Sequence, residues 1–158
     1  MSALVRAVQQ GKSVTVVELG ARDNEGSNIQ LSRRLEAAGA QVIYGIAGLK
    51  IHCKATIVVR RAGDETVIYS HYGTGNYHPG NARLYTDLSF FTRNQKLGRD
   101  GISLFNFLTS GAEAYGLQKR IIAPKMLGTN IVDLIQNEID FARAGEPASI
   151  WIKLNSID

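Results

Sequence analysis

The sequence predicts an α/β fold, a mixed and mostly parallel sheet flanked by helices. Three patterns carry that expectation. A near-continuous apolar run at 14–19 reads as a strand buried on both faces. Ile29, Leu31, Leu35 and Ala38 then recur at helical spacing. A second apolar run fills 41–46. Strand, helix and strand at that spacing form a βαβ unit with a parallel pair.

Taken in order, residues 2–10 read as the end of a helix closed by Gly11. Ser27 is the expected N-cap of the next helix and Gly39 its stop. Residues 51–60 and 66–71 read as strands of a hairpin joined by Arg61-Ala62-Gly63-Asp64-Glu65. Residues 73–81, rich in Gly, Asn and Pro, read as a loop, and 84–92 as another strand. A helix at 96–108 offers Leu97, Ile102, Phe105 and Leu108 to the core, although Gly98 and Gly101 disfavour it.

Composition shifts at 110–118, as in a linker, and the pattern restarts. A short strand at 120–123 precedes a helix capped by Thr129, with Ile131, Leu134, Ile135 and Ile139 on one face. Residues 148–154 read as a strand. Helix, glycine, apolar strand and polar segment thus recur about 135 residues after Leu4-Val5-Arg6-Ala7, from Ile139-Asp140-Phe141-Ala142 onward. On that reading 1–109 is most of one domain, 110–119 a linker and 120–158 the start of a similar domain, so the chain is a fragment. Two unrelated βαβ pieces would give the same pattern.

The chain has 158 residues, 44% of them hydrophobic, which describes a globular core. No apolar stretch approaches the ~20 residues that span a bilayer, and residues 1–11 lack a signal peptide's apolar segment. A single cysteine, Cys53, excludes an internal disulfide framework and fits a reducing compartment. If its strand is regular, Cys53 points away from His52 into the core. The net charge of +4 is modest, so nucleic acid is not an expected partner. Yet Arg22, Lys50, Lys54, Arg60, Arg61, Arg83, Arg93, Lys96 and Arg99 all lie in the first two thirds. A polyanionic ligand or a solvated basic surface accounts for them.

The chemistry concentrates in Gly48-Leu49-Lys50-Ile51-His52-Cys53-Lys54 and the downstream Gly73-Thr74-Gly75-Asn76. In a strand His52 and Lys54 share a face. Histidine is a nucleophile near neutral pH, lysine holds an anion as a point charge, and a glycine loop aims N–H groups at oxygens. The bland alternative is a core histidine. Lys54 on the same face argues against it, because a buried lysine needs a partner or ligand.

The H-x-K and the Gly-Thr-Gly-Asn loop resemble one half-site of the phospholipase D superfamily. The wider text is closer to one family. Val17-Glu18-Leu19-Gly20-Ala21-Arg22, His71-Tyr72-Gly73-Thr74-Gly75-Asn76-Tyr77 and Ala82-Arg83-Leu84-Tyr85-Thr86-Asp87 resemble bacterial polyphosphate kinase, the type with two phospholipase-D-like catalytic domains. The resemblance implies a phospholipase-D-like fold and reversible transfer of the ATP γ-phosphate to polyphosphate through a phosphohistidine. His52 is then the phosphorylated nucleophile, and Lys54 neutralises non-bridging oxygens. Arg22 matches a residue of the magnesium and phosphate site. A guanidinium cannot ligate a cation, so its role is to grip metal-bound phosphate oxygens. Tyr85 matches a tyrosine associated with ATP. Asp87, read on the same strand face, is available to orient an imidazole. His71 matches a second histidine, supporting the loop or the phosphorylated site. Gly73, Thr74 and Asn76 line the phosphate loop, Asn76 fixing it or bonding an oxygen.

The same resemblance implies Mg2+ as cofactor, ATP, ADP and polyphosphate as ligands, and further domains as partners. It also implies a homo-oligomer when intact, cytoplasmic or peripheral at the inner membrane. Two departures affect the loop after Arg22. Gly20 stands where the family has lysine, and Asp23-Asn24 where it has phenylalanine-aspartate. Another upstream arginine and a second domain's histidine lie outside this sequence, so the expected turnover of the chain alone is nil or very small. A phosphodiesterase or nuclease of the superfamily is the rival, but its stricter motif wants aspartate at the position of Val59. A non-catalytic polyanion-binding module needs the basic residues and not His52.

Overall fold

In the computed structural model, residues 2–17, 25–46, 48, 51–111 and 127–152 are described. The chain divides into two compact units, Met1–Gln118 and Lys119–Asp158.

The first unit opens with α1 (Ser2–Gln9), followed by β1 (Thr15–Val17), α2 (Glu25–Ala38) and β2 (Gln41–Ile43). β1 and β2 pair in parallel with Thr15 opposite Gln41, the expected βαβ unit. Helix α2 turns Ser32 and Leu35 inward, at 0% and 1% exposure. It starts two residues ahead of Ser27, whose capping role therefore does not hold. β1 is half-buried along its length rather than buried on both faces.

An antiparallel sheet follows, β3 (Lys54–Ala62), β4 (Glu65–Gly73) and β5 (Ser89–Thr92), in the order β3-β4-β5. The sheet content is mixed as expected, but among the described residues antiparallel pairing outweighs parallel, because the hairpin strands are long. The expected strand at 84–92 is shortened to β5. A short helix, α3 (Asn81–Leu84), takes its start. Residues 85–88 carry no ladder, so Tyr85 and Asp87 do not share a strand face.

Helix α4 (Gln95–Ser110) covers one face of this sheet. Asn94 caps it, accepting from the N–H groups of Lys96 at 3.0 Å and Leu97 at 3.3 Å. Gly98 and Gly101, poor helix formers by propensity, are its contact points. A Cβ on Gly98 would lie 2.7 Å from Ile68 Cγ2, and one on Gly101 would lie 2.5 Å from Ile57 Cδ1 and the Tyr72 hydroxyl oxygen. The Tyr72 hydroxyl also donates to the Leu97 carbonyl at 2.7 Å. Close approach offsets the roughly 1 kcal/mol that a helical glycine costs. Gly98→Ala is therefore expected to destabilise the unit by about 1–3 kcal/mol through overpacking, read as a lower urea midpoint at unchanged slope. An unchanged or higher midpoint would contradict this packing.

The second unit holds α5 (Leu127–Arg143). The helix begins two residues before Thr129, which is not its cap. Gly145, at φ 78°, closes it, with Glu146 N–H donating to Phe141 O at 2.9 Å and Gly145 N–H to Ala142 O at 3.1 Å. Gly11, at φ 76°, closes α1 in the same way, through Lys12 N–H to Ala7 O and Gly11 N–H to Val8 O, both at 2.9 Å. Both glycines occupy the left-handed position of this cap, which side chains disfavour. Residues 148–152 carry no strand ladder, against the expectation of a strand. Their apolar pattern suits a strand, but a strand exists only with a neighbour to bond, and none stands beside it among the described residues. The expected linker begins later than position 110, since Ser110 is helical and Gly111 caps α4. The rest of the linker, the strand at 120–123 and the Gly20 and Asp23-Asn24 departures lie outside the described residues.

Candidate functional site

The sheet face opposite α4 carries the candidate chemistry. Lys54, Gly73 and Ser89 are ladder partners in one row, and Thr56, His71 and Phe91 form the next. Directly opposed residues point to the same face. Ile57, Ile68 and Tyr72 point to the other face, under α4.

His52 lies just ahead of β3 and is exposed, with Lys54 half-buried beside it. Lys54 Nζ stands 3.0 Å from His52 Nε2 and 3.3 Å from Nδ1. The ammonium lies within hydrogen-bond distance of both ring nitrogens, and whichever of them carries the lone pair of a neutral imidazole can accept from it. Partial burial holds the Lys54 pKa below its ordinary value, while Cys53 and the Asp87 carboxylate act to raise it. Cys53 is exposed, a correction to the expected core thiol. It precedes β3, so strand alternation does not turn it inward.

The glycine loop is fastened at both ends. Thr74 N–H donates to Leu88 O and Leu88 N–H to Thr74 Oγ1, each at 3.0 Å, so a hydroxyl completes the last rung of the ladder. Thr74 Oγ1 in turn donates to Asp87 Oδ1 at 3.0 Å. The Asp87 carboxylate lies against Gly75, where any Cβ would overlap it. Asp87 is thus engaged by the loop hydroxyl and not by an imidazole. At the far end, the Tyr77 hydroxyl meets His71 Nδ1 at 2.7 Å and Thr56 Oγ1 at 2.9 Å. His71 Nε2 meets Ser89 Oγ at 3.2 Å, and Phe91 stacks on His71 with centroids 4.3 Å apart.

Of the residues singled out from the sequence, His52 and Lys54 come together, and Lys54 lies across the ladder from Gly73. Thr74 and Asp87 form the loop's base. His71 sits one row further along the same face. Tyr85 is 67% exposed, outside any strand. The Asn76 side chain is exposed too, with no hydrogen bond among the described residues. Arg22 lies outside them. Thr56, Tyr77, Ser89 and Phe91 escaped sequence reasoning as site residues. Thr56 was within reach, being the next same-face position after Lys54.

The α/β fold, which carries the H-x-K beside the fastened glycine loop, is consistent with the phospholipase-D-like class. Residues 1–114 match the family model for polyphosphate kinase C-terminal domain 1. Over 99% of its length the chain is 49% identical to the polyphosphate kinase of Erythrobacter litoralis and 45% identical to that of Streptomyces coelicolor. The crystal structure of polyphosphate kinase from Porphyromonas gingivalis superposes with a TM-score of 0.78 over 91% of the chain, at 33% identity. The chain belongs to the polyphosphate kinase family. It spans about a fifth of the length of these relatives, 22% and 21% for the first two and 24% for the crystal structure.

Proposed function

We propose that the chain carries the histidine half-site of a polyphosphate kinase. The carrying observation is the exposed His52 ring with the Lys54 ammonium 3.0 Å from Nε2, on a chain 49% identical to a polyphosphate kinase. The imidazole nitrogen attacks the γ-phosphorus of ATP. A P–N bond forms, the bond to the β,γ-bridging oxygen breaks, and ADP leaves. A terminal oxygen of polyphosphate then attacks the same phosphorus and breaks the P–N bond. Two easier displacements replace one difficult one, and each runs in reverse. Lys54 holds the non-bridging oxygens, where charge sits in a loose transition state.

Asp87 and Thr74 keep the loop in shape beside this lysine, and Gly73 lets oxygens approach the sheet. Asn76 and Tyr85 are exposed and free to meet ligand, Tyr85 by stacking on the purine. Arg22 grips phosphate oxygens. Mg2+ would arrive on the nucleotide. Among the described residues no group of three or more His, Cys, Asp or Glu side chains gathers to hold a metal ion, and the ion would neutralise phosphate oxygens on the nucleotide itself. Residues up to Gly111 are most of a first phospholipase-D-like domain, a linker follows that cap, and 120–158 are the start of a second. The division of the chain at 118 and 119 supports that order. Further domains complete the site in a cytoplasmic homo-oligomer. Peripheral membrane attachment accords with the lack, among the described residues, of a helix long and apolar enough to cross a bilayer.

The test is a chimera in which this chain replaces the matching 158-residue segment of the Erythrobacter litoralis enzyme. ATP-dependent polyphosphate synthesis is the expected outcome, with little or none from the chain alone. A folded chimera that makes no polyphosphate but hydrolyses phosphodiesters without ATP would favour the phosphodiesterase instead. One that only binds polyphosphate would leave a polyanion-binding module.

A further inference from the structure

We propose that Ser89 is a direct phosphate-oxygen ligand of this site, and that Tyr77, acting through His71, is the positioning residue that aims its hydroxyl proton. The inference rests on the reading above, since it assigns the Lys54 face to a phosphate chain.

Four side chains form a continuous line: Thr56 Oγ1 to Tyr77 hydroxyl at 2.9 Å, Tyr77 to His71 Nδ1 at 2.7 Å, and His71 Nε2 to Ser89 Oγ at 3.2 Å. Each hydroxyl has one proton, and a neutral imidazole has one N–H. The line therefore runs in one direction at a time. A phenolic O–H is a stronger donor than an alcohol, and the phenol makes the shorter of the two contacts to His71. Tyr77 thus donates to Nδ1, which places the imidazole proton on Nε2. Nε2–H donates to Ser89 Oγ, and Thr56 donates to the Tyr77 oxygen. The Ser89 proton is left over and points away from His71. If His71 is protonated, both ring nitrogens donate and Ser89 again only accepts. Ser89 turns its proton inward only when neutral His71 carries its proton on Nδ1.

The outward proton has a suitable destination. Ser89 and Lys54 flank Gly73 in a single ladder row on one sheet face. Gly73 carries no side chain there, and the edge of the His71 ring leans over it, with Cε1 3.3 Å from where a Cβ would stand. The row thus offers a cation and a hydroxyl donor at either side of the Gly73 backbone and that ring edge, with Ser89 exposed. A chain of linked phosphates carries oxygens on successive phosphorus atoms, so a single ligand offers acceptors to both groups. Phe91, stacked on His71, and Tyr77 fix the ring that does the aiming.

The experiment titrates the 158-residue chain with tripolyphosphate and follows backbone and imidazole 15N resonances. The expected wild-type result is binding, with His71 protonated on Nε2. Ser89→Ala should weaken binding about tenfold, the loss of one hydrogen bond to a charged group. Tyr77→Phe should weaken it less and release the fixed tautomer, a signature that loss of packing alone would not give. Thr66→Ala, at the hairpin's far end, should bind as wild type. Unchanged affinity in Ser89→Ala, or a His71 proton on Nδ1, overturns the proposal. In that event, phosphorylation of His52 in the chimera would still stand, so failure here and failure of the kinase reading are told apart.

Discussion

Replacing His52 with alanine in the chimera is expected to abolish the phosphoryl label carried over from γ-labelled ATP and to lower polyphosphate synthesis by at least about 10³-fold. The reason is chemical and not structural. The ring is exposed, precedes β3 and takes no part in a ladder, so its loss leaves no cavity and breaks no strand pairing. Thermal unfolding should be unchanged. Alanine cannot form the P–N bond, and direct attack of polyphosphate on ATP must then cross the barrier that the intermediate divides. Activity within tenfold of wild type would mean that His52 is not the nucleophile.

Lys54→Gln is expected to lower turnover by about 10²–10³-fold, with a much smaller change in KM. Glutamine keeps much of the stem and a hydrogen-bond donor but removes the charge. If Lys54 acts on charge that grows toward the transition state, the loss falls on kcat. If it only helps to collect a polyanion, KM rises and kcat stays. Labelling of His52 should slow in this variant without changing its site. The half-buried setting of Lys54 makes its charge count for more than that of a solvated lysine, because water screens it less.

The residues show where sequence reasoning reached and where it stopped. The βαβ unit was legible because an apolar run, a helical repeat and a stop at Gly39 agree with one another. The hairpin was legible from its Arg61-Ala62-Gly63-Asp64-Glu65 connection, which the structure tightens to Gly63-Asp64 because the ladder extends to Ala62 and Glu65. The nearness of His52 and Lys54 was expected from strand alternation, but His52 precedes β3, so the two meet where the chain enters the strand and not along a strand face. Asp87 was harder. Its assignment to an imidazole assumed an unbroken strand through Tyr85, whereas α3 and an irregular stretch intervene. Its actual contact, Thr74, is 13 residues away in sequence and close only because the ladder folds the loop back. Tyr77 has the same character, reaching Thr56 across 21 residues. Gly98 and Gly101 were read as weaknesses of a helix. They are the places where the helix meets the sheet, which propensity cannot register. Residues 148–152 of the expected strand had the right pattern, but pairing depends on a neighbour that a local pattern does not supply.

The most direct test of the phosphohistidine is to trap it. The chimera is incubated briefly with γ-labelled ATP, digested under alkaline conditions, and the labelled peptide sequenced by mass spectrometry. One acid-labile, base-stable phosphate on His52 is the predicted result. A label on His71 with His52 unmodified, or phosphotransfer with no labelled histidine in this chain, would contradict it.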